Sequence, residues 1–302
     1  MKKDKTSAAL YNLVRTALNN MDMLPPEFVH IHGEAQVDHN LKLSLLQHAF
    51  DIGGSNVILS IGQTIIDDGA NPVIVVLLKA RSAMQVVKRW QRLEQFYHSR
   101  HRTKTISEGV NQLTIKHWSL EGEAPGYLED LLIAGIMYAF LQSLGCIQLT
   151  MHLGDGTALH DGEKFCLEKN ESESDYSTWN ISWDHQQHLP PLLQAARGGS
   201  LEERLKYIFS TDPASSWTID QFLIHCDFSR RTLQRKLKAE QASLQVLLRE
   251  FRANYAFEMI MNSNYSLTHI AFASGYSDQA HFNREFKRCI GLPPGNYRKT
   301  MK

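Results

Sequence analysis

Cysteine is scarce in this 302-residue chain, and the spacing of its cysteines excludes the sites that cysteine pairs build. Structural zinc sites and disulfide frameworks need closely spaced or paired cysteines, for example two in a CxxC sequence. The chain has no CxxC sequence, so we expect neither kind of site, and we predict a protein of the reducing cytoplasm. The four cysteines are Cys146, Cys166, Cys226 and Cys289.

A long hydrophobic run and a recognisable export signal are also missing. The longest apolar stretch, from Leu131 to Leu141, is far shorter than the ~20 residues that span a bilayer. Near the N-terminus, Asp4 follows the first lysines, and asparagines interrupt the apolar residues after it. We therefore predict that the protein does not interact with a membrane and that residues 131–141 form a buried helix.

Catalytic signatures are absent as well, because the sequence contains no GxSxG, P-loop or dinucleotide-binding pattern. His30 and His32 invite comparison with a cupin-like metal site, but Glu34 comes too early for the carboxylate of that pattern. The HLGDG stretch at 152–156 is explained more simply by a turn after a strand. We predict no catalytic residue, no metal and no cofactor, and hence a protein that is not an enzyme.

The formal net charge of zero hides a division between the two halves of the chain. Residues 200–302 contain 15 Lys and Arg against 10 Asp and Glu, a charge of +5. Residues 1–199 contain 17 against 22, a charge of −5. A basic half beside an acidic half suggests that only the C-terminal half contacts a polyanion.

Hydrophobic periodicity and turn residues predict a mixed α/β fold for the N-terminal half. Helices are expected over 6–21, 41–50, 82–98 and 127–144, with Gly53 and Gly54 ending the second of them. Apolar, β-branched runs predict strands between these helices and after the last one. The predicted strands cover 56–65, 72–80, 103–107, 112–120, 146–153, 163–169 and 178–183.

The C-terminal half contains two pairs of short helices, each pair joined by a tight turn. In the first pair, Thr218 and Gln221 have capping-box spacing, and Ser229 is expected to cap the basic helix RRTLQRKLK. Leu233 and Leu237 are four residues apart, so they lie on the inward face of this helix. The polar residues on the other faces of this helix then point outward, namely Arg230, Arg231, Gln234, Arg235 and Lys238.

The second pair covers SLTHIAFASGYSDQAHFNREFK at 266–287. Ser266 caps its first helix, Gly275 takes the turn with a positive φ, and Ser277 is expected to cap the second helix. Phe282 and Phe286 are the core residues of that helix, and its other faces carry hydrogen-bond donors suited to base edges and phosphates. A long helix from Leu244 to about Met261 links the two pairs.

These stretches resemble the AraC/XylS family of transcription regulators over about the last 85 residues. The resemblance rests on SRRTLQRKLK, on Arg252 and Ala256, on IAFASGYSDQAHFNREFKR, and on Gly291–Pro294 with Tyr297–Arg298. It implies an all-α domain at 200–302, with helix-turn-helix units at 218–239 and 266–289 joined by a linker helix. Such domains bind double-stranded DNA in neighbouring major-groove segments. Leu223, Gln241 and Pro293 depart from the family pattern, but none removes a donor from a recognition helix.

The resemblance also implies roles for individual side chains. Base contacts are implied for Arg231, Gln234 and Arg235 in the first unit and for Gln279, Asn283 and Arg284 in the second. Contacts to phosphates or to groove shape are implied for Arg230, Lys238, His281 and Lys287, and Thr232 and Ser277 complete the DNA-binding set.

The N-terminal half resembles the arabinose-binding-like regulatory domain of part of the same family, in the order of its elements and in YSTWNISWDHQQHLPPLL at 176–193. This implies that residues 1–197 form a domain that senses an unidentified small-molecule effector and supports a homodimer, with a short linker near Gly198–Gly199. The family favours activation of a promoter, with RNA polymerase as a partner.

Two alternatives stay open for the N-terminal half. In the first, it only dimerises or docks a partner, and DNA binding is constitutive. In the second, it carries an enzyme or metal site that uses His30 and His32. Neither alternative changes the prediction for the C-terminal half.

Overall fold

The chain folds into two compact units, Met1–Leu189 and Pro190–Lys302. The predicted linker at Gly198–Gly199 lies outside the described residues, and the domain limits of 1–197 and 200–302 stay predictions. The structure is a computed structural model that describes residues 5–31, 36–67, 71–97, 99–167, 174–187, 201–225, 228–239 and 242–301.

In the part that the structure describes, the N-terminal unit combines five helices with antiparallel β-structure, as the predicted mixed α/β class requires. The helices are α1 (Ala8–Asn20), α2 (His39–Asp67), α3 (Pro72–Leu78), α4 (Ala83–Phe96) and α5 (Tyr127–Ser143). The strands are β1 (Lys5–Ser7), β2 (Gln36–Asp38), β3 (His101–Glu108), β4 (Gln112–Ser119), β5 (Cys146–Ile147), β6 (Thr150–Leu153), β7 (Ala158–His160), β8 (Thr178–Ser182) and β9 (His185–Gln186). In the larger sheet the strands are ordered β3-β4-β8-β6-β7, while β1 pairs with β2 and β5 pairs with β9.

Helix α5 is the core of this unit, and every residue from Leu128 to Leu141 is buried. It packs against α2 through Gly62 and Gly135. A β-carbon on Gly62 would overlap the backbone of Gly135, and a β-carbon on Gly135 would overlap the backbone of Leu59. Helices therefore approach here at backbone distance, which only glycine allows. The predicted buried helix over 131–141 is confirmed.

The strands predicted at 56–65 and 72–80 are wrong, because both segments are helical. Helix α2 does not end at Gly53 and Gly54; it bends at Gly54, where φ is 70° and ψ is −163°, and then continues to Asp67. Helix α3 begins where the Asn71 side chain accepts a hydrogen bond from the Val73 amide (3.0 Å) and Pro72 occupies the first turn. A short run rich in Val, Ile and Leu suits either element, so its apolar period does not distinguish a strand from a helix.

The remaining predicted elements of this unit are largely correct. Helices α1 and α4 and strands β3, β4 and β8 lie where they were expected, and Gly145 takes a positive φ of 85° just after α5. The segment 146–153 divides into β5 and β6. The predicted strand at 163–169 is wrong within the described residues, where Phe165 forms only an isolated bridge to His160. Strand β7, which sequence periodicity did not indicate, supplies that edge of the sheet.

All elements that the structure describes in the C-terminal unit are helices, as predicted. The helices are α6 (Leu201–Thr211), α7 (Ile219–Ile224), α8 (Arg230–Ala239), α9 (Leu244–Asn262), α10 (Leu267–Ala273), α11 (Gln279–Ile290) and α12 (Pro294–Met301). Helices α7 and α8 form the first helix-turn-helix unit, α10 and α11 form the second, and α9 is the linker helix between them.

Within the described ranges, no single helix combines the length and apolarity needed to cross a membrane. One sharply bent pair, α2 with α3, meets that test only when its two helices are taken together.

Candidate nucleic-acid interface

The first helix-turn-helix unit is fixed by the caps that the sequence predicts. The Thr218 hydroxyl accepts a hydrogen bond from the Gln221 amide (3.2 Å), and the Gln221 side chain accepts one from the Thr218 amide (2.9 Å). At the start of α8 the Ser229 hydroxyl accepts a hydrogen bond from the Thr232 amide (3.1 Å). Caps of this kind each contribute about 1 kcal/mol, so the start of each helix is well defined.

Helix α8 has one buried face and one exposed face of donors. Leu233 and Leu237 are buried in the core of the first unit, as predicted. The residues on the opposite side are exposed, and we call this set the α8 donor face: Arg231, Gln234, Arg235 and Lys238. Lys236 lies off this face, with its ammonium 5.4 Å from the centroid of the Phe228 ring.

Arg230 is also exposed, but it already has a protein partner. Its guanidinium forms an ion pair with the carboxylate of Asp220 on α7. The two side chains are 52% and 74% exposed, and exposed pairs of this type contribute at most ~1 kcal/mol. The pair can therefore open at small cost when a phosphate approaches.

The turn of the second unit is closely packed. Ser266 caps α10 by accepting a hydrogen bond from the His269 amide (3.1 Å). Gly275 has a φ of 81°, and a β-carbon there would lie 2.5 Å from the Pro213 carbonyl oxygen and 2.8 Å from Arg252 Nε. The turn therefore needs glycine for its backbone angle and also for lack of space, which confirms the predicted role of this residue.

The predicted cap at Ser277 is wrong, because Asp278 is the N-cap of α11. Its carboxylate accepts a hydrogen bond from the His281 amide (2.7 Å), and this bond is the main reason that the pKa of Asp278 is lowered. A carboxylate also complements the helix dipole better than a hydroxyl does. The Ser277 hydroxyl instead contacts the Asp278 carboxylate and His281 Nδ1, each at 2.9 Å.

Helix α11 repeats the arrangement of α8. Phe282 and Phe286 are fully buried, which confirms their predicted place in the core. The exposed set, which we call the α11 donor face, is Asn283, Arg284 and Lys287. Its members occupy the helical positions that Gln234, Arg235 and Lys238 occupy in α8.

Gln279, the first residue of α11, differs from the other predicted base readers because it is half-buried. Its Oε1 is buried and has no hydrogen-bond partner among the described residues. The side chain lines an open groove of about 620 Å³ that the α11 donor face also borders. Leu267, Pro293 and Gly295 line the same groove.

Two arginines of the linker helix connect the units, and the sequence did not assign these contacts. Arg252 donates to the carbonyl oxygens of Pro213 (3.2 Å) and Ser215 (2.6 Å), in the segment just before the first unit. Arg249 Nε lies 3.1 Å from the carboxylate of Glu285 on α11. Helix α9 thus holds the segment before α7 and the recognition helix α11 in one framework.

No group of three or more His, Cys, Asp or Glu side chains in the described part of the chain is arranged to hold a metal ion. His32 and Glu34 lie outside that part, so the alternative metal site on His30 and His32 is not tested by the structure.

Comparison with known proteins identifies the C-terminal region. Residues 225–300 match the family described as a helix-turn-helix domain. An AraC-like transcription regulator of Streptomyces lividans is 38% identical over 90 residues, which are 29% of this chain and 29% of that protein. The regulator GadX of Escherichia coli is 26% identical over 113 residues, or 37% and 41%. The urease operon transcriptional activator of Escherichia coli is 27% identical over 96 residues, or 32% of each.

These matches confirm the resemblance to AraC/XylS transcription regulators. The matched relatives are regulators with DNA-binding helix-turn-helix domains and not enzymes. The matched stretches cover only 29% to 41% of the relatives' own length.

Proposed function

We propose that this protein is a sequence-specific DNA-binding transcription regulator that places α8 and α11 in two neighbouring segments of the major groove. The observation that carries the proposal is the pair of equivalent donor faces on two capped helices. A single exposed arginine is usually a solvated surface residue. Two matched faces, each opposite a buried apolar stripe and joined by one linker helix, are better explained by a common ligand with a repeating structure.

The chemistry of each side chain suggests what it reads. Arg231, Arg235 and Arg284 can each donate two hydrogen bonds to guanine, while Gln234 and Asn283 suit the donor and acceptor edge of adenine. A good bidentate contact gives ~1–3 kcal/mol of base discrimination.

The other members of the predicted set have supporting roles. Lys238, Lys287 and Arg230 suit phosphates, because a flexible cation neutralises the backbone without reading sequence. Gln279 is the least exposed of the six proposed base readers, so we assign it a minor contribution. Thr232, Ser277 and His281 lie at the first turns of α8 and α11, where contacts to phosphates are common.

We further propose a cytoplasmic regulator that activates transcription with RNA polymerase, acts as a homodimer and is controlled by a small molecule bound to the N-terminal unit. The name of the urease operon relative supports activation. A pocket of about 500 Å³ lies beside β4. It favours control by a small molecule and argues against the alternative that the N-terminal unit only dimerises or docks a partner.

The proposal is tested by DNA binding of single variants. The operator is first defined by a genome-wide footprint of the bound protein. Arg235→Ala and Arg284→Ala should each weaken binding to this site about 5- to 150-fold, corresponding to ~1–3 kcal/mol, and relax the preference for one base. Lys236→Ala is the matched control, because it removes a cation from α8 outside the donor face.

Titration at several salt concentrations separates the two kinds of contact. Lys238→Ala should weaken binding to all sequences alike and reduce the salt slope by ~1. If Arg235→Ala and Arg284→Ala bind the defined site as tightly as Lys236→Ala, the assignment of the donor faces is wrong.

A further inference from the structure

We propose that the N-terminal unit binds a small organic ammonium ion in the pocket beside β4. This inference gives a chemical class to the effector of the proposed function and rests on that function only for its regulatory consequence. The pocket has a volume of about 500 Å³ and lies between β4, the first turn of α5 and the segment before β8. The side chains that matter here are Lys116, His117, Tyr127, Asp130, Asp175 and Tyr176.

Asp130 is the floor of this pocket and is an unusual residue to bury. The side chain belongs to the first turn of the buried helix α5, and the residue is only 4% exposed. Its Oδ1 lies 2.7 Å from His117 Nδ1, and no other hydrogen bond reaches this carboxyl group from the described residues. The second oxygen of this carboxyl group is therefore left for a ligand.

Two basic side chains near Asp130 are directed at the residue before it. Lys42 forms a buried ion pair with Glu129, and His101 Nδ1 lies 3.4 Å from the same carboxylate. His117 is itself buried, and burial lowers its pKa, which disfavours the charged ring. Burial, together with the charges of Glu129 and Asp175, raises the pKa of Asp130 to about 8, against the opposing effect of Lys116. A cationic ligand beside Asp130 would favour the anionic form of this carboxyl group.

The rim of the pocket is suited to the same ligand. Asp175 places a second carboxylate there, against the single cation of Lys116. The rings of Tyr127 and Tyr176 lie beside it, with their centroids 5.9 Å apart. Aromatic faces next to carboxylates are the usual surroundings of a bound ammonium group, because the ring quadrupole attracts a cation. An anionic ligand would instead meet Asp130 and Asp175.

Calorimetric titration of the full chain with two matched pairs of probes tests the proposal. Tyramine is compared with hydroxyphenylpropionate, which has the same ring but a carboxylate, and choline is compared with dimethylbutanol, its uncharged isostere. We expect at least one cation to bind about tenfold or more tightly than its partner. Binding near neutral pH should also release protons, because a bound cation lowers the pKa of Asp130.

Three variants assign the binding to this pocket. Asp130→Asn should abolish the proton release and reduce cation affinity, and Asp175→Asn should reduce affinity by a smaller factor. Glu108→Gln is the matched control, since it removes an exposed carboxylate of β3 from outside the pocket. Circular dichroism checks that each variant is folded. If Asp130→Asn does not fold, the affinity of Asp175→Asn for the cation decides whether this pocket is the binding site.

The possible outcomes separate this site from the proposed function. The proposal is overturned if neither cation binds at millimolar concentration, if the uncharged partners bind equally well, or if both pocket variants bind like Glu108→Gln. The same preparations are assayed for DNA binding with and without probe. Cation binding that leaves DNA affinity unchanged supports the pocket and rejects its regulatory role, whereas DNA binding unaffected by Arg284→Ala rejects the proposed function alone.

Discussion

Replacement of Gly275 by alanine tests whether the turn of the second helix-turn-helix unit fixes the framework of the DNA-binding domain. A β-carbon here meets the Pro213 carbonyl oxygen at 2.5 Å, Arg252 Nε at 2.8 Å and the Ala214 α-carbon at 2.9 Å. Two of these three neighbours are backbone atoms that cannot move aside alone. The positive φ costs ~1–2 kcal/mol for a non-glycine residue. Overpacking adds ~1–3 kcal/mol, so we expect a total loss of about 2–5 kcal/mol.

Gly291 provides the matched control for this experiment. It also has a positive φ, of 96°, but a β-carbon there would have nothing within 4 Å. Gly291→Ala therefore measures the backbone cost alone, and the difference between the two variants measures the steric cost. Amide hydrogen exchange of the full chain, read in peptides from α10 and α9, reports both losses.

An excess loss of ~1–3 kcal/mol corresponds to about 5- to 150-fold faster exchange in Gly275→Ala than in Gly291→Ala. Because Arg252 and the Pro213 segment are displaced together, DNA affinity should fall more in Gly275→Ala as well. Equal exchange rates in the two variants would refute the reasoning, since they would mean that the contact at Gly275 carries no steric cost.

Three further predictions concern single side chains. Asp278→Ala should cost ~0.5–2 kcal/mol in hydrogen exchange of α11, whereas Ser277→Ala should cost less, because Asp278 is the N-cap. Glu129→Gln should cost ~3–5 kcal/mol in urea unfolding of the N-terminal unit, because it leaves Lys42 buried without its anion. Replacement of both residues by apolar ones should restore most of the lost stability. A Glu129→Gln variant as stable as wild type would contradict the buried ion pair. The folded pKa of Asp130 is about 8 and the unfolded one 3.8, so the unfolded chain releases this proton first and stability should fall as pH rises from about 4 to about 8. Asp130→Asn should flatten that slope, and an unchanged slope would show that another group causes it.

Much of the candidate interface could be predicted because it depends on neighbours along the chain. Caps such as Thr218 and Ser266 act within three residues, and the buried and exposed faces of α8 and α11 follow from helical spacing. The cap of α11 shows the limit of such reasoning. Ser277 and Asp278 are both good capping residues and adjacent in sequence, and a one-residue difference in where the helix begins decides between them.

The N-terminal unit was less predictable, because short apolar runs suit a strand and a helix alike. The segments 56–65 and 72–80 are rich in Val and Ile, which favour strands, yet packing against α5 makes both helical. Local preference is weak compared with the area that such packing buries. The close approach of Gly62 and Gly135 depends on residues far apart in sequence, so no local pattern reveals it.

By itself, then, the sequence determined the class of the protein, the two recognition helices and the side chains that they expose. It did so because helix caps, turns and amphipathic faces are local. Only the tertiary structure brought Arg252 to the Pro213 segment and Arg249 to Glu285. The tertiary structure also places the buried Asp130 against His117, beside a pocket that Tyr127 and Tyr176 line. These contacts join distant segments, and their energies depend on burial and charge, which a linear pattern does not contain.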